Sequence, residues 1–265
     1  MSAARNLLDQ LWDDYRRLNP QASAIQRLLA SSGDTVVNDH IALRTYDDRR
    51  VNIEVLARAF VGLGYQDHGE YKFPQKKLRA RHYEHQDTGQ PKVFISELKL
   101  GECSPPLRRI VSSLIDQVEP DMLNRVDLPV IGRPWTVSRA DYATLADESE
   151  YAAWVAAFGF RANHFTILVN ALERFDGLQQ LNAFLNDQGY CLNTSGGQIK
   201  GSPEVYLEQS STLADKVAVQ FSDGTVTIPC GYYEFARRYP LPNGQLFQGF
   251  VAGSADRIFE STDRR

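Results

Sequence analysis

The sequence has little of what usually announces a function. Its three cysteines, Cys103, Cys191 and Cys230, are an odd number without a CxxC spacing. A disulfide framework is therefore not expected, and a reducing, cytoplasmic setting fits. Basic charge is not in excess: 29 Lys and Arg stand against 33 Asp and Glu, a formal net charge of −4. Nothing here offers a basic field for a phosphate backbone, so no nucleic-acid partner is expected. Apolar runs never approach the ~20 residues that a bilayer span needs, so no membrane partner is expected. The first residues, MSAARNLLDQLWDDYRRL, show neither an apolar h-region nor a small-residue cleavage site, so they do not read as a secretory signal. P-loop, GxGxxG, GxSxG and HExxH patterns are also missing, which argues against nucleotide, Rossmann, hydrolase-elbow and zincin chemistry. What remains is ordinary globular material. The 265 residues are 43% apolar and 23% charged, enough for a proper core in one domain covering 1–265.

Hydrophobic periodicity predicts helices over about 5–18, 22–30, 52–63, 105–119, 139–158 and 175–188. It predicts strands near 36–46, 65–73, 78–85, 92–100, 163–169, 205–211, 216–221, 225–228 and 231–238. Inside this order lies a repeat. His40 and His164 are 124 residues apart, each opening a strand directly after an acidic or amide residue, Asp39 or Asn163. Ala59-Phe60 and Ala183-Phe184 share the same offset within the following helices, which end at Gly64-Tyr65 and Gly189-Tyr190. The expected architecture is α+β: two βαβββ modules, about 36–104 and 160–252, separated by a helical connector over about 105–158. Modules of this kind pair so that their first strands face a common cleft, which would bring the two imidazoles together.

Two imidazoles and a carboxylate are the donor set of non-haem Fe(II) sites. The carboxylate should come from the last strand of a module, which neighbours the first. Glu234 and Glu97 both stand on such strands among apolar or aromatic neighbours, where an unpaired ionised carboxylate is costly and a metal would relieve it. Arg44 follows His40 by four on the same strand face, roughly 13 Å further along. A guanidinium there suits a bidentate clamp on a substrate carboxylate. The remaining histidines are weaker candidates: His82 and His85 read as a solvated strand and His68 as a loop residue, while the cysteines read as core fillers.

The segments Asn38-Asp39-His40-Ile41-Ala42-Leu43-Arg44-Thr45, Asn163-His164-Phe165-Thr166, Leu207-Glu208-Gln209-Ser210-Ser211-Thr212 and Gly231-Tyr232-Tyr233-Glu234-Phe235-Ala236-Arg237-Arg238 together resemble the 2-oxoadipate dioxygenase/decarboxylase (hydroxyglutarate synthase) family. The resemblance implies a vicinal-oxygen-chelate fold, Fe(II) or another divalent metal, and O2-dependent conversion of 2-oxoadipate to 2-hydroxyglutarate with loss of CO2. It puts His40, His164 and Glu234 on the metal-ligand positions, with His40 also beside the substrate. Arg44 falls on the substrate-carboxylate position, and Gly253 and Ser254 fall in the substrate-contacting C-terminal segment. Lysine catabolism is the associated pathway. Two other readings stay open: a glyoxalase-like isomerase or ring-cleaving dioxygenase, favoured if Glu97 is a fourth ligand, and a non-catalytic protein that binds a small acid.

Overall fold

Leu7, Leu11 and Tyr15 recur at intervals of four, which puts one apolar stripe on a helix. In the computed structural model, which describes residues 3–251, all three are buried. Their helix, α1 (Ala3–Leu18), is followed by α2 (Pro20–Ser31). Pro20 suits the start of α2, because its missing N–H would have had no intrahelical partner there.

The first module runs β1 (Asn38–Tyr46), α3 (Ile53–Val61), β2 (Tyr65–Phe73), β3 (Leu78–His85) and β4 (Lys92–Leu98). Helix α3 begins one residue later than the pattern predicts, because Asn52 is its cap: the Asn52 side chain accepts from Val55 N at 3.1 Å. The connector holds α4 (Pro105–Ile115), α5 (Arg139–Glu148) and α6 (Glu150–Phe158). The single pattern predicted over 139–158 divides at Ser149. Its extended backbone (φ −147°, ψ 105°) ends α5, and its hydroxyl accepts from Ala152 N to cap α6. Residues 151–158 of α6 are all buried, as an all-round apolar helix must be.

The second module runs β5 (Ala162–Leu168), α7 (Leu178–Asp187), β6 (Lys200–Ser202), β7 (Leu207–Ser211), β8 (Lys216–Phe221), β9 (Gly224–Pro229) and β10 (Tyr232–Arg238). The short β6 gave no periodic signal in the sequence. Strands β8 and β9 pair only with each other, so this hairpin is an insertion and the module proper is again βαβββ.

The eight remaining strands form one sheet in the order β2-β3-β4-β1-β5-β10-β7-β6. Each half mirrors the other. Within each module the first strand runs parallel to the last, and β1 and β5 meet antiparallel at the centre. This is the α+β vicinal-oxygen-chelate arrangement that the sequence suggests. Residues 39–46 of β1 are all buried, including the polar face that carries His40 and Arg44. A strand with one solvated face would alternate; this one is covered on both sides.

The start of β10 is braced from three directions. Tyr15 Oη donates to Tyr232 O at 2.5 Å, Gly231 N donates to Asn19 Oδ1 at 2.8 Å, and Trp154 Nε1 donates to Cys230 O at 2.6 Å. Gly231 is required by close approach: a Cβ there would lie 2.5 Å from Asn163 O and 2.8 Å from Asn19 Oδ1. Gly231→Ala is expected to cost about 1–3 kcal/mol through overpacking. The check is a lowered urea midpoint at unchanged slope.

Candidate metal centre

The pairing of β1 with β5 sets His40 opposite Thr166 and Ala42 opposite His164, so the two histidines stand one pair apart on one face. Strand β10 joins from the other side of β5, with Tyr232 beside His164 and Glu234 beside Thr166. His40, His164 and Glu234 are all buried, and each offers a donor atom within 4.8 Å of the others. Glu234 Oε1 lies 3.5 Å from His40 Nε2, and Oε2 lies 3.4 Å from His164 Nε2. The imidazole rings stand at 84° with centroids 5.6 Å apart. Two donors about 2.1 Å from a common ion, at angles near 90–110°, would sit about 3–3.5 Å apart.

The residues before each histidine fix its tautomer. His40 Nδ1 bonds Asp39 Oδ2 at 2.8 Å and His164 Nδ1 bonds Asn163 Oδ1 at 3.0 Å. Each Nδ1 therefore carries the hydrogen, and each Nε2 lone pair faces inward. Asp39 sits where the β1–β5 register shifts, between Asn38 and His40. A bulge of this kind re-aims side chains, and here it lets Asp39 reach Arg238. Arg238 Nε and Nη2 hold Asp39 Oδ1 and Oδ2 at 2.6 and 2.8 Å. On the remaining flank, Thr166 Oγ1 lies 3.1 Å from His40 Nε2, Tyr232 stacks on His164 at 4.5 Å and 25°, and Gln209 Nε2 donates to Glu234 Oε1 at 2.5 Å.

Burial dominates the electrostatics. It pushes the His40 imidazole down despite Asp39, and pushes His164 well down with further repulsion from His40 and Arg44. Burial raises the Glu234 carboxyl to about 8, against a lowering contribution from the Gln209 hydrogen bond. Burial alone would raise Asp39 as well, but Arg238 and His40 override it and hold that carboxyl well below the usual range.

The constellation fits a divalent cation on its own geometry. Glu234 Oε2 is buried without a hydrogen-bond partner. Two imidazole lone pairs face a carboxylate with no hydrogen between them, an arrangement that needs either a proton on Glu234 or a cation at the centre.

The other candidates fall elsewhere. Arg44 is 1% exposed, its guanidinium 5.1 Å from the Tyr151 ring centre and 5.2 Å from that of Trp154, with Glu150 Oε1 at 3.8 Å from Nη1. Glu97 is not at the centre. The parallel registers make Phe94, beside Ala42, the counterpart of Glu234, beside Thr166. Glu97 is three residues past Phe94, an odd offset that turns it to the opposite face. There it accepts from Ile53 N at the start of α3 at 2.9 Å and from Arg79 Nε at 2.8 Å. His82 is buried rather than solvated, bonded to Tyr71 Oη and Glu84 Oε1. His68 lies in β2 at a bulge rather than in a loop, and Cys191 is exposed rather than a core filler. Gly253 and Ser254 lie outside the described residues. Sequence reasoning assigned no role to Arg238, Gln209 or Tyr232; only their place in the quoted motifs, on the strands beside the ligands, could have marked them.

The family model of the 2-oxoadipate dioxygenase/decarboxylases matches residues 2–130 and 130–246. The chain belongs to this family. A curated chloroplastic 2-oxoadipate dioxygenase/decarboxylase of Arabidopsis thaliana is 35% identical over 97% of this chain and 77% of its own. The crystal structure of the hydroxyglutarate synthase of Oryza sativa in complex with 2-oxoadipate superposes at a TM-score of 0.90, with 34% identity over 98% of this chain and 92% of that one. A Shewanella frigidimarina NCIMB 400 structure, described provisionally as a hydrolase, reaches a TM-score of 0.91 and 52% identity over 95% and 99%. Among the described residues, no helix is long and apolar enough to cross a membrane.

Two expectations follow for the metal-free protein. With its carboxyl near 8, Glu234 holds a proton at pH 7 while both histidines are already neutral. The folded value exceeds the unfolded one, so this group's contribution to stability falls as pH rises from the usual carboxylate range towards 8. Binding a divalent ion displaces that proton, so affinity should climb about tenfold per pH unit below pH 8 and level off above it. Metal titrations between pH 6 and 9 read this directly, and a flat profile would contradict it. Glu97→Ala should instead cost about 2–3 kcal/mol of stability while leaving metal affinity unchanged, as denaturation and titration of the same variant will show.

Proposed function

We propose that the protein is an Fe(II)-dependent dioxygenase and decarboxylase that converts 2-oxoadipate and O2 to 2-hydroxyglutarate and CO2. The observation that carries this reading is the buried His40–His164–Glu234 constellation, with a buried arginine further along the same strand face. Family membership and the rice relative crystallised with 2-oxoadipate support the substrate class. The two Nε2 atoms and the Glu234 carboxylate would hold the ion. Ferrous iron in a three-ligand site of this kind supplies chelation of a 2-oxo acid and reduction of O2.

The chain's own residues prepare the rest. Asp39 and Asn163 keep both imidazoles in the metal-binding tautomer, and the surrounding burial keeps water from the reacting groups. Arg44 would hold the carboxylate at the far end of the substrate. Its guanidinium lies 3.8 Å from Glu150 and is flanked by the Tyr151 and Trp154 rings, which set its plane. A fixed clamp of this type lowers the barrier by orienting the substrate before reaction. One substrate suffices, because the acid that loses CO2 also receives the oxygen.

The glyoxalase-like or ring-cleaving alternative would gain weight from Glu97 as a fourth ligand, and Glu97 faces α3 instead. The free state of Cys103, Cys191 and Cys230 fits a reducing compartment, a condition met by a cytoplasm and equally by the plastid named for the plant relatives.

Protein loaded anaerobically with Fe(II) should consume O2 on addition of 2-oxoadipate alone, releasing CO2 and 2-hydroxyglutarate in equal amounts. Absence of uptake with a panel of 2-oxo dicarboxylates overturns the proposal. Arg44→Ala should lower kcat/KM for 2-oxoadipate about 10- to 100-fold, the worth of a charge-assisted bond pair. Iron content should stay unchanged; equal loss of iron would remove Arg44 from the substrate role.

A further inference from the structure

Beyond β10 the chain turns back across the sheet, and two side chains fasten it. Arg238 Nη1, from the second module, donates to Phe247 O and Gly249 O, both at 2.9 Å. Tyr71 Oη, from the first module, accepts from Phe250 N at 3.2 Å. The result is a strap that lowers the Phe250 ring onto the metal centre from the first module's side. Its centroid lies 4.8 Å from that of His40 at 89°, 4.9 Å from Phe94 and 5.3 Å from His82. The Arg238 guanidinium lies 5.3 Å from the same ring.

These neighbours set Phe250 apart from core phenylalanines. A side chain that only fills a core is surrounded by hydrocarbon; this one has Phe94 on one side but otherwise packs against two imidazoles, a phenol and a guanidinium, the polar lining of a site. The register adds an independent reason. Phe94 occupies the place that Glu234 holds in the second module, so the centre has a ligand on one flank and hydrocarbon on the other.

We propose that Phe250 is a specificity-determining residue: with Phe94 it forms the wall that limits how bulky a ligand the metal centre admits beside His40. The inference rests on the metal-centre reading but not on the reaction. Apolar pockets discriminate 10- to 200-fold for a change of a single methylene, so trimming a phenyl ring to a methyl should be plainly visible.

The test uses Co(II)-loaded protein and two bidentate probes that differ only in bulk, acetohydroxamate and benzohydroxamate, with binding read from the visible Co(II) spectrum. Phe250→Ala should shift the affinity ratio towards benzohydroxamate by about tenfold or more, and Phe250→Leu by less. Tyr71→Phe, which keeps the ring but loosens the strap, should move the ratio in the same direction. An unchanged ratio in folded variants overturns the proposal. So does loss of Co(II) with the melting temperature retained, since the ring would then be a prop for His40 rather than a wall. If Phe250→Ala does not fold, the Leu variant and Tyr71→Phe decide by the same ratio. Oxygen uptake with 2-oxoadipate tests the reaction separately, so either reading can fail while the other stands.

Discussion

Two imidazole lone pairs and a buried carboxylate, 3.4–3.5 Å apart, cannot share a space without a positive charge or a proton between them. The rest of the structure follows from holding that arrangement together. Burial shifts each donor when no ion is bound: the histidines are driven neutral and the glutamate is driven to keep its proton. Each shift is the cost of removing charge from water, and one divalent cation reverses the sign of the glutamate's cost at a stroke. The orienting residues show the same logic. Asp39 stays ionised deep in the protein because Arg238 grips it with two hydrogen bonds, and the pair holds the His40 ring by its back nitrogen.

The near-symmetry of the two modules explains why the donors meet, and its breaks explain what the site is for. Antiparallel pairing of β1 with β5 places equivalent positions on either side of a central axis, so one histidine per module suffices to make a pair. The register then matches Ala42 with Thr166, Lys92 with Tyr232 and Phe94 with Glu234. At each of these matches the second module supplies a group that touches a ligand or is one. Thr166 approaches His40, Tyr232 stacks on His164, and Glu234 completes the donor set. The first module answers with Ala42, Phe94 and a lysine, Lys92, none of them part of the donor set, and adds Arg44 where its partner has Leu168.

Much of this was legible in the sequence. The 124-residue offset carried the modules and the paired histidines, and the rule that a module's last strand neighbours its first carried Glu234. Glu97 satisfied that rule equally well, and only the register separates the two: strand membership is visible in apolar runs, whereas the parity that decides a face is set by hydrogen bonding across strands. His82 misled for a related reason. Its charged neighbours, Arg81 and Glu84, suggest a solvated strand, yet alternation turns only Arg81 to the other face, Glu84 bonds the His82 ring, and a strap from more than 160 residues away in the chain covers it. Short β6 and the break at Ser149 were invisible because three residues make no period and a serine inside a helical pattern reads equally as interior or as cap.

Arg238 joins the strap to the orientation of His40. One nitrogen of its guanidinium serves the strap and the other two serve Asp39, so the outer wall of the site and the orientation of His40 share a single buried side chain. Lysine could not take its place: an ammonium has a comparable charge but lacks the flat fork that meets a carboxylate in two places while a third group points elsewhere. A guanidinium at 2% exposure would be costly alone, and Asp39 offsets that cost only because the bulge in β1 turns its carboxylate towards β10. The irregularity in the central strand is thus what allows a charged residue to organise the site from within. A regular β1 would still bring His40 to the centre, but without Asp39 behind it the ring would lose both its tautomer and its tie to the strap.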